Sequence, residues 1–293
     1  SGVTALLGVS SYAFIAGGTG SGDVHRPYVV DLQQGLSDGG FTLEPGLDAF
    51  YSAYMQDESR RCKMIDGNNS WVIDRERPIE VVPSDLIKAA AKSADQAVIT
   101  FGRVFGEGKD RDLYYSYHLQ DRELQLLSEA SAAFHAEGKK VTVILNVGGV
   151  IEMESWQKLA DGILLCWQPG EEGGHTVASV LSGEVNPSGR LPMTISKTYA
   201  DEPSAPNFPR IFEDKPFNYS FYRRLEGNKK DYTVKDIDYT RYEEGIYVGY
   251  RYFDKTGRKA AYPFGYGLSY GDLSEKIVDV KKEGKEITFA VNA

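Results

Sequence analysis

The chain has 293 residues, 41% hydrophobic and 26% charged, an ordinary globular composition with enough apolar side chains for one large core or two smaller ones. Its net charge of −9, with only short, acid-flanked basic runs at Asn228–Lys230 and Lys281–Lys285, excludes a nucleic acid or other polyanion as partner. Two cysteines far apart in sequence, Cys62 and Cys166, fit neither a disulfide framework nor a metal-site spacing, and no apolar run reaches the ~20 residues of a membrane span.

The opening SGVTALLGVSSYAFIAGG has no basic residues ahead of its apolar part, so it is read as a buried strand over Val3–Val9 and not as a signal peptide. A glycine loop, AGGTGSGDVHRPY, follows over Ala16–Tyr28. The next helix places Pro27 in its first turn and Gly39–Gly40 at its stop. SDLIKAAAKSAD predicts a helix with Ser84 as N-cap, and QAVITFG the next buried strand. In DRELQLLSEASAAFHAEG, Leu124, Leu127, Ser131 and Phe134 recur at three and four residues, Gly138 ends the helix, and KKVTVILNV continues as a strand. GILLCW and EEGGHTVASVLSG add a strand and a helix, with Glu171 and Glu172 as capping acids at the helix start. Strands that are apolar throughout, separated by amphipathic helices, predict an α/β fold: a mostly parallel sheet sandwiched by helices, flavodoxin-like.

After about Met193 the rhythm fails. Residues 198–240 read as a long irregular excursion, and EEGIYVGYRYFD and YPFGYGLSY as a packed, β-rich or extended aromatic tail. The last residues predict two strands about the turn KKEGK, the opening of a β domain left unfinished. The expected organisation is one sandwich domain over 1–270, then a linker and the start of a further domain over 271–293, with both ends reading as cut.

Open parallel sheets bind ligands in the loops at the carboxyl ends of their strands, and two loops qualify. The glycine loop lacks the Gly-Lys-Ser/Thr ending of a phosphate loop and the G-x-G-x-x-G spacing of a dinucleotide site. It reads either as a tight turn needing positive φ or as a close-approach loop for a neutral polar ligand, lined by Gly18, Thr19, Gly20, Ser21 and Asp23 with His25 beside them. The second loop, GEGKDRD, sets Glu107 between two glycines. Alone it is equally a solvated surface loop whose ion pairs contribute under about 1 kcal/mol. His118 and His135 read as surface or packing residues, Trp156 and Trp167 as packing residues, and Tyr247, Tyr250 and Tyr252 as core residues and not sugar platforms.

Taken in order, GGTGSGDVHRPY, GEGKDRD, HAEGKKVTVILNVGGVIEMESW, DGILLCWQPGEEGGHTVASVLSGEVNPSGRLPMTI, EEGIYVGYRYFD and YPFGYGLSY resemble the second, α/β-sandwich domain of family 3 glycoside hydrolases of the β-glucosidase type. NPSGRLP and YPFGYGLSY are the specific marks, and the resemblance covers nearly the whole chain. It implies a (β/α)₈ barrel domain on another segment or chain, and a fibronectin-III-like domain beginning after residue 270. It also implies a retaining exo-glycosidase, in which a barrel Asp is the nucleophile and Glu107 the acid/base, the two carboxyl groups roughly 5–5.5 Å apart. The substrate would be a β-linked oligosaccharide or glycoside, held in part by the glycine loop, with no cofactor and no metal.

The Ser-Asp pairs Ser37–Asp38 and Ser84–Asp85 lack the Trp or Tyr expected after a nucleophile, so the resemblance leaves this chain half a site. Lys109 stands where relatives often carry an aromatic residue, and with Arg103 and Arg111 it is expected to pull the Glu107 pKa down. The alternatives are a non-catalytic carbohydrate-binding module, a nucleotide-binding flavodoxin-like domain, and a β-xylosidase in place of a β-glucosidase. A homodimer is allowed, and a bacterial cytoplasm, a periplasm and secretion all remain open.

Overall fold

The structure, a computed structural model, describes residues 2–18, 20–22, 24–56, 80–104, 113–207, 211–212, 215–216, 242–271 and 275–292. Its centre is a five-stranded sheet of β1 (Val3–Leu7), β2 (Thr42–Leu43), β3 (Gln96–Arg103), β4 (Lys140–Val147) and β5 (Gly162–Leu165), in the order β2-β1-β3-β4-β5. All four pairings are parallel. Helices α1 (Leu32–Asp38), α2 (Pro45–Gln56), α3 (Ser84–Ser93), α4 (Asp121–Ala136) and α5 (Gly173–Ser182) cover it. The period of two along each strand sends Ala5, Leu7, Ile99, Phe101, Val143 and Leu145 into one core with α2, α3 and α4. Leu6, Val98 and Ile144 go into a second core with Leu32 and Leu36 of α1 and Val177 and Ala178 of α5. Burial on both faces is why these strands read as unbroken apolar runs, and the α/β sandwich expected from that pattern is the fold found.

Local chemistry moves several boundaries. The first helix starts at Leu32 and not at Pro27, because the Asp31 carboxylate accepts the Gln34 N–H at 2.9 Å and so caps it there. Both β2 and α2 were unanticipated. Pro45 at the first helical position, with the Glu44 carboxylate accepting the Leu47 N–H at 2.8 Å, was a readable start signal for α2. Ser84 is the first residue of α3 and not its cap, and its hydroxyl donates to Glu129 of α4 at 2.6 Å. Glu172 occupies the N-cap of α5 but accepts no capping bond; its carboxylate takes the Tyr28 hydroxyl and His175 Nδ1, each at 2.6 Å.

The glycines at the α1–α5 crossing were also unforeseen. A Cβ built on Gly35 would stand 2.6 Å from the His175 amide nitrogen and nearer still to the Gly174 carbonyl, and one on Gly174 would stand 2.6 Å from the Asp31 carbonyl carbon. Backbone packs on backbone, leaving no room for a side chain.

Within the excursion, Ile211–Phe212 (β6) and Lys215–Pro216 (β7) pair antiparallel. The aromatic tail is not extended throughout: Tyr250–Thr256 forms α6, bracketed by Gly249 at φ 55° and Gly257 at φ 67°. Nor are Tyr247 and Tyr250 core residues, at 37% and 44% exposed, whereas Tyr252 is half-buried and Tyr262 packs against the main core. The motifs NPSGRLP and YPFGYGLSY bind each other. Leu191 N–H donates to Tyr266 O at 2.8 Å, Gly265 N–H to Leu191 O at 2.8 Å, Ser269 Oγ to Pro187 O at 2.6 Å and Tyr270 N–H to Asn186 Oδ1 at 2.8 Å. Beyond them β8 (Lys276–Glu283) and β9 (Glu286–Asn292) form an antiparallel hairpin about Gly284–Lys285, with Val280, Ile287, Phe289 and Val291 exposed.

Candidate active site

The chain order reverses at β1, which has β2 on one side and β3 on the other, so the carboxyl ends of β1 and β3 flank the topological switch point of the sheet. The glycine loop leaves β1 and the segment containing Glu107 leaves β3. Both candidate stretches therefore issue from the switch point, where ligands of open parallel sheets are held.

The base of the β1 loop is tightly held. Gly8 has φ 88°, and a Cβ there would strike the Thr100 carbonyl of β3, so this close approach requires glycine. The Gly8 N–H donates to the Tyr51 hydroxyl at 2.8 Å, which donates to Glu80 Oε1 at 2.9 Å, and the Val9 N–H donates to the same oxygen at 3.1 Å. Burial pushes the Glu80 carboxyl and the Tyr51 hydroxyl up from their ordinary pKa values. Tyr12 stacks on Tyr51 with ring centroids 4.9 Å apart.

Asn146, fully buried near the end of β4, joins two loops through one carboxamide. Its Oδ1 accepts the Ile15 N–H at 2.6 Å, and its Nδ2 donates to Ile15 O at 3.0 Å and to Trp167 O at 2.8 Å. Trp167, directly after the β5 run, has φ 54°, the one positive φ outside glycine among the described residues. Such strain persists only where neighbours hold it, and the Asn146 bond is one such hold. Gly170 N–H donates to Ala16 O at 2.9 Å, a further tie between the β1 and β5 loops.

Of the sequence-derived candidates, Gly18 is half-buried, Gly20 opens a 3₁₀ turn over Gly20–Gly22 with φ 68°, and Ser21 and His25 are exposed. Thr19, Asp23 and Glu107 lie outside the described residues, as do Lys109 and Arg111. The structure thus brings the β1 loop to the same edge as the feet of the Glu107 segment. Arg103 was expected to weigh on Glu107, but its guanidinium is buried and paired with Glu123 at 2.6 Å. That carboxylate neutralises it.

Sequence reasoning missed Asn146, the Arg103–Glu123 pair and Glu152. The last is 4% exposed, and its carboxylate accepts the Ser155 N–H at 2.7 Å and hydroxyl at 2.6 Å. Each carried a signal: a polar residue inside an apolar strand or loop must find partners on burial. Cys166 is half-buried at the end of the β5 run, its thiol pushed up to about 12 by burial. Among the described residues no group of three or more His, Cys, Asp or Glu side chains is placed to hold a metal, and no helix is long and apolar enough to cross a membrane.

Comparison with known proteins agrees with this architecture. Residues 3–270 match the glycosyl hydrolase family 3 C-terminal domain. β-Glucosidase A of Butyrivibrio fibrisolvens is 32% identical over 91% of this chain and 31% of its own length. An exo-α-(1→6)-L-arabinopyranosidase of Bifidobacterium longum is 34% identical over 73% of this chain and 24% of its own. The structure of β-glucosidase 3B from Thermotoga neapolitana in complex with glycerol superposes with a TM-score of 0.79 at 36% identity, covering 99% of this chain and 37% of that one. The chain thus spans about a third of the length of such relatives. A domain-wide match of this kind, on the sheet order described, shows that the chain belongs to glycosyl hydrolase family 3, as its C-terminal domain.

Proposed function

We propose that this chain is part of a retaining, exo-acting β-glycosidase, a β-glucosidase, that removes terminal non-reducing β-linked sugars. Its share of the site is the general acid/base, Glu107, and a substrate-lining loop over Gly18, Thr19, Gly20, Ser21, Asp23 and His25. The observation that carries the reading is the switch point: two loops, one rich in glycine and one carrying a lone carboxylate between glycines, leave adjacent parallel strands at the edge where such sheets hold ligands.

In this reading a barrel domain outside the chain supplies an Asp that attacks the anomeric carbon, while Glu107 gives its proton to the departing oxygen. Glu107 then takes a proton from the water that breaks the glycosyl-enzyme. The glycines let the loop backbone approach the sugar, and Ser21 and Thr19 offer it hydroxyl groups. The relatives include a β-glucosidase and an L-arabinopyranosidase, so the proposal commits to glucose first, with β-xylose as the alternative sugar.

The test is complementation. The pure chain should not hydrolyse an aryl β-glucoside, and adding the barrel domain of the same enzyme should produce turnover. A chain that binds the sugar but adds no turnover under any such pairing is a binding module, and the catalytic reading is then wrong.

A further inference from the structure

The glycine loop leaves and rejoins the body of the domain on one short turn. At its start Asn146 holds Ile15 by both N–H and carbonyl, and the Ala16 carbonyl accepts the Gly170 N–H at 2.9 Å. At its end the Val30 N–H donates to Glu171 O at 2.8 Å, the Gly174 N–H to Val30 O at 3.0 Å and the Tyr28 hydroxyl to Glu172 Oε1 at 2.6 Å. Both ends are thus fastened to Gly170–Gly174, the turn that leads into α5, which makes Ala16–Tyr28 an Ω-loop. Between them the described residues form no helix or strand beyond the 3₁₀ turn Gly20–Gly22, so the loop takes its position from its ends.

The two ends differ in kind. A buried carboxamide and backbone bonds hold the first, and none of these titrates. The tie nearest the loop at the second, Tyr28 to Glu172, belongs to an exposed chain of side chains that does. Glu172 Oε2 stands 2.6 Å from His175 Nδ1, and His175 Nε2 stands 3.0 Å from Asp38 Oδ2 of α1. A carboxylate at each ring nitrogen requires an N–H on both, so the arrangement needs the imidazolium; a neutral ring has one N–H and turns a lone pair on one of the two carboxylates. Bonds to Asp38 and then Glu172 raise the His175 pKa above its ordinary 6.5. The titratable groups acting on this chain are Asp38 of α1, Glu171 and Glu172 ahead of α5, and Tyr28 of the loop.

We infer that Glu172 is a positioning residue for the substrate loop: it holds the return end of the loop through Tyr28, and protonated His175 holds Glu172 in place. The inference rests on the reading of the glycine loop as substrate-lining. Capping alone would direct the Glu172 carboxylate at the first amides of α5, and it makes no such bond. The tie is complete at low pH and loosens as pH rises through the folded His175 value, and sugar binding should loosen with it.

The test measures the inhibition constant of D-glucose against hydrolysis of an aryl β-glucoside by the complete enzyme, at about pH 5.5 and about pH 8.5, on either side of an ordinary histidine pKa. Glu172→Ala, Tyr28→Phe and His175→Gln should each raise that constant about three- to tenfold at the lower pH, and the native enzyme should approach the His175→Gln value at the higher. Glu172→Gln, whose carbonyl can still accept the Tyr28 hydroxyl, should recover part of the loss. Glu172→Ala/His175→Gln should bind no more weakly than Glu172→Ala, because both changes act on one tie. Gly20→Val is measured beside them as the test of the loop itself. If Gly20→Val weakens glucose binding while the other variants keep the native constants, or if His175→Gln weakens it equally at both pH values, the inference is overturned and the loop reading stands. If Gly20→Val changes nothing, both are overturned.

Discussion

Replacing Gly35 by Ala should destabilise the domain, although helix propensity alone would favour Ala by about 1 kcal/mol. The new Cβ would stand 2.6 Å from His175 N and closer to the Gly174 carbonyl, where ordinary contact begins at 3.4 Å. These neighbours are backbone and cannot rotate aside, so α1 and α5 must separate by roughly 1 Å, enough to forfeit a quarter to a half of each dispersion contact across the gap. Leu32, Leu36, Val177 and Ala178 all lie in that core. Forced insertion into a packed core costs about 1–3 kcal/mol, and the rigid neighbours place this case at the upper end. A net loss of about 2 kcal/mol corresponds to a melting temperature lower by roughly 4–8 °C for a domain of this size. Differential scanning calorimetry would read it, with Gly189→Ala, whose Cβ meets nothing within 4 Å, as the control. A Gly35→Ala chain that melts at or above the native temperature would refute the close-crossing argument.

The remaining predictions concern buried or paired titratable groups. Burial raises the Glu80 pKa, so its ionised form disfavours the fold, and the associated stability is present below the ordinary carboxylate pKa and lost as pH rises through the folded one. Glu80→Gln, whose carbonyl oxygen can still accept from Val9 N–H and Tyr51, should therefore gain stability relative to the native chain between about pH 4 and pH 7.5, read as urea midpoints; a gain in the opposite direction would refute this. His175 has its pKa raised by hydrogen bonds to Asp38 and then Glu172, so its contribution is complete below about 6.5 and lost as pH rises through the folded value. His175→Gln should flatten that part of the stability–pH curve, and an unchanged curve would show the pair to be inconsequential. Native Cys166, its thiol raised by burial, should resist iodoacetamide near neutral pH and label only on unfolding, as mapped by peptide mass spectrometry.

The fold was legible where burial forces a pattern. Doubly buried parallel strands such as Gln96–Arg103 and Lys140–Val147 have to be apolar throughout, and their helices have to be amphipathic. It was less legible where one side chain decides a boundary, as Asp31 does for α1, and where tyrosine-rich composition suggested extended chain although Gly249 and Gly257 delimit a helix around buried Phe253. The loops of the candidate site could be located from the strand ends, because the topology of open sheets places ligands there. Asn146, Arg103 and Glu123 could not be paired from sequence, since their partners lie up to 131 residues away and only the folded register joins them.

The central claim is that Glu107 is the acid/base of a retaining reaction, and Glu107→Ala in the complete enzyme tests it most directly. The account predicts a loss on the order of 10²–10⁴-fold with oligosaccharides, and with an activated aryl glycoside a burst followed by a stall, because a nitrophenolate leaves without a proton while the intermediate still needs water deprotonated. Azide should restore turnover and yield a β-glycosyl azide. Equal losses on both substrates, with no azide rescue and no glycosyl azide formed, would contradict it and shift the role to another carboxylate such as Asp110 or Glu243.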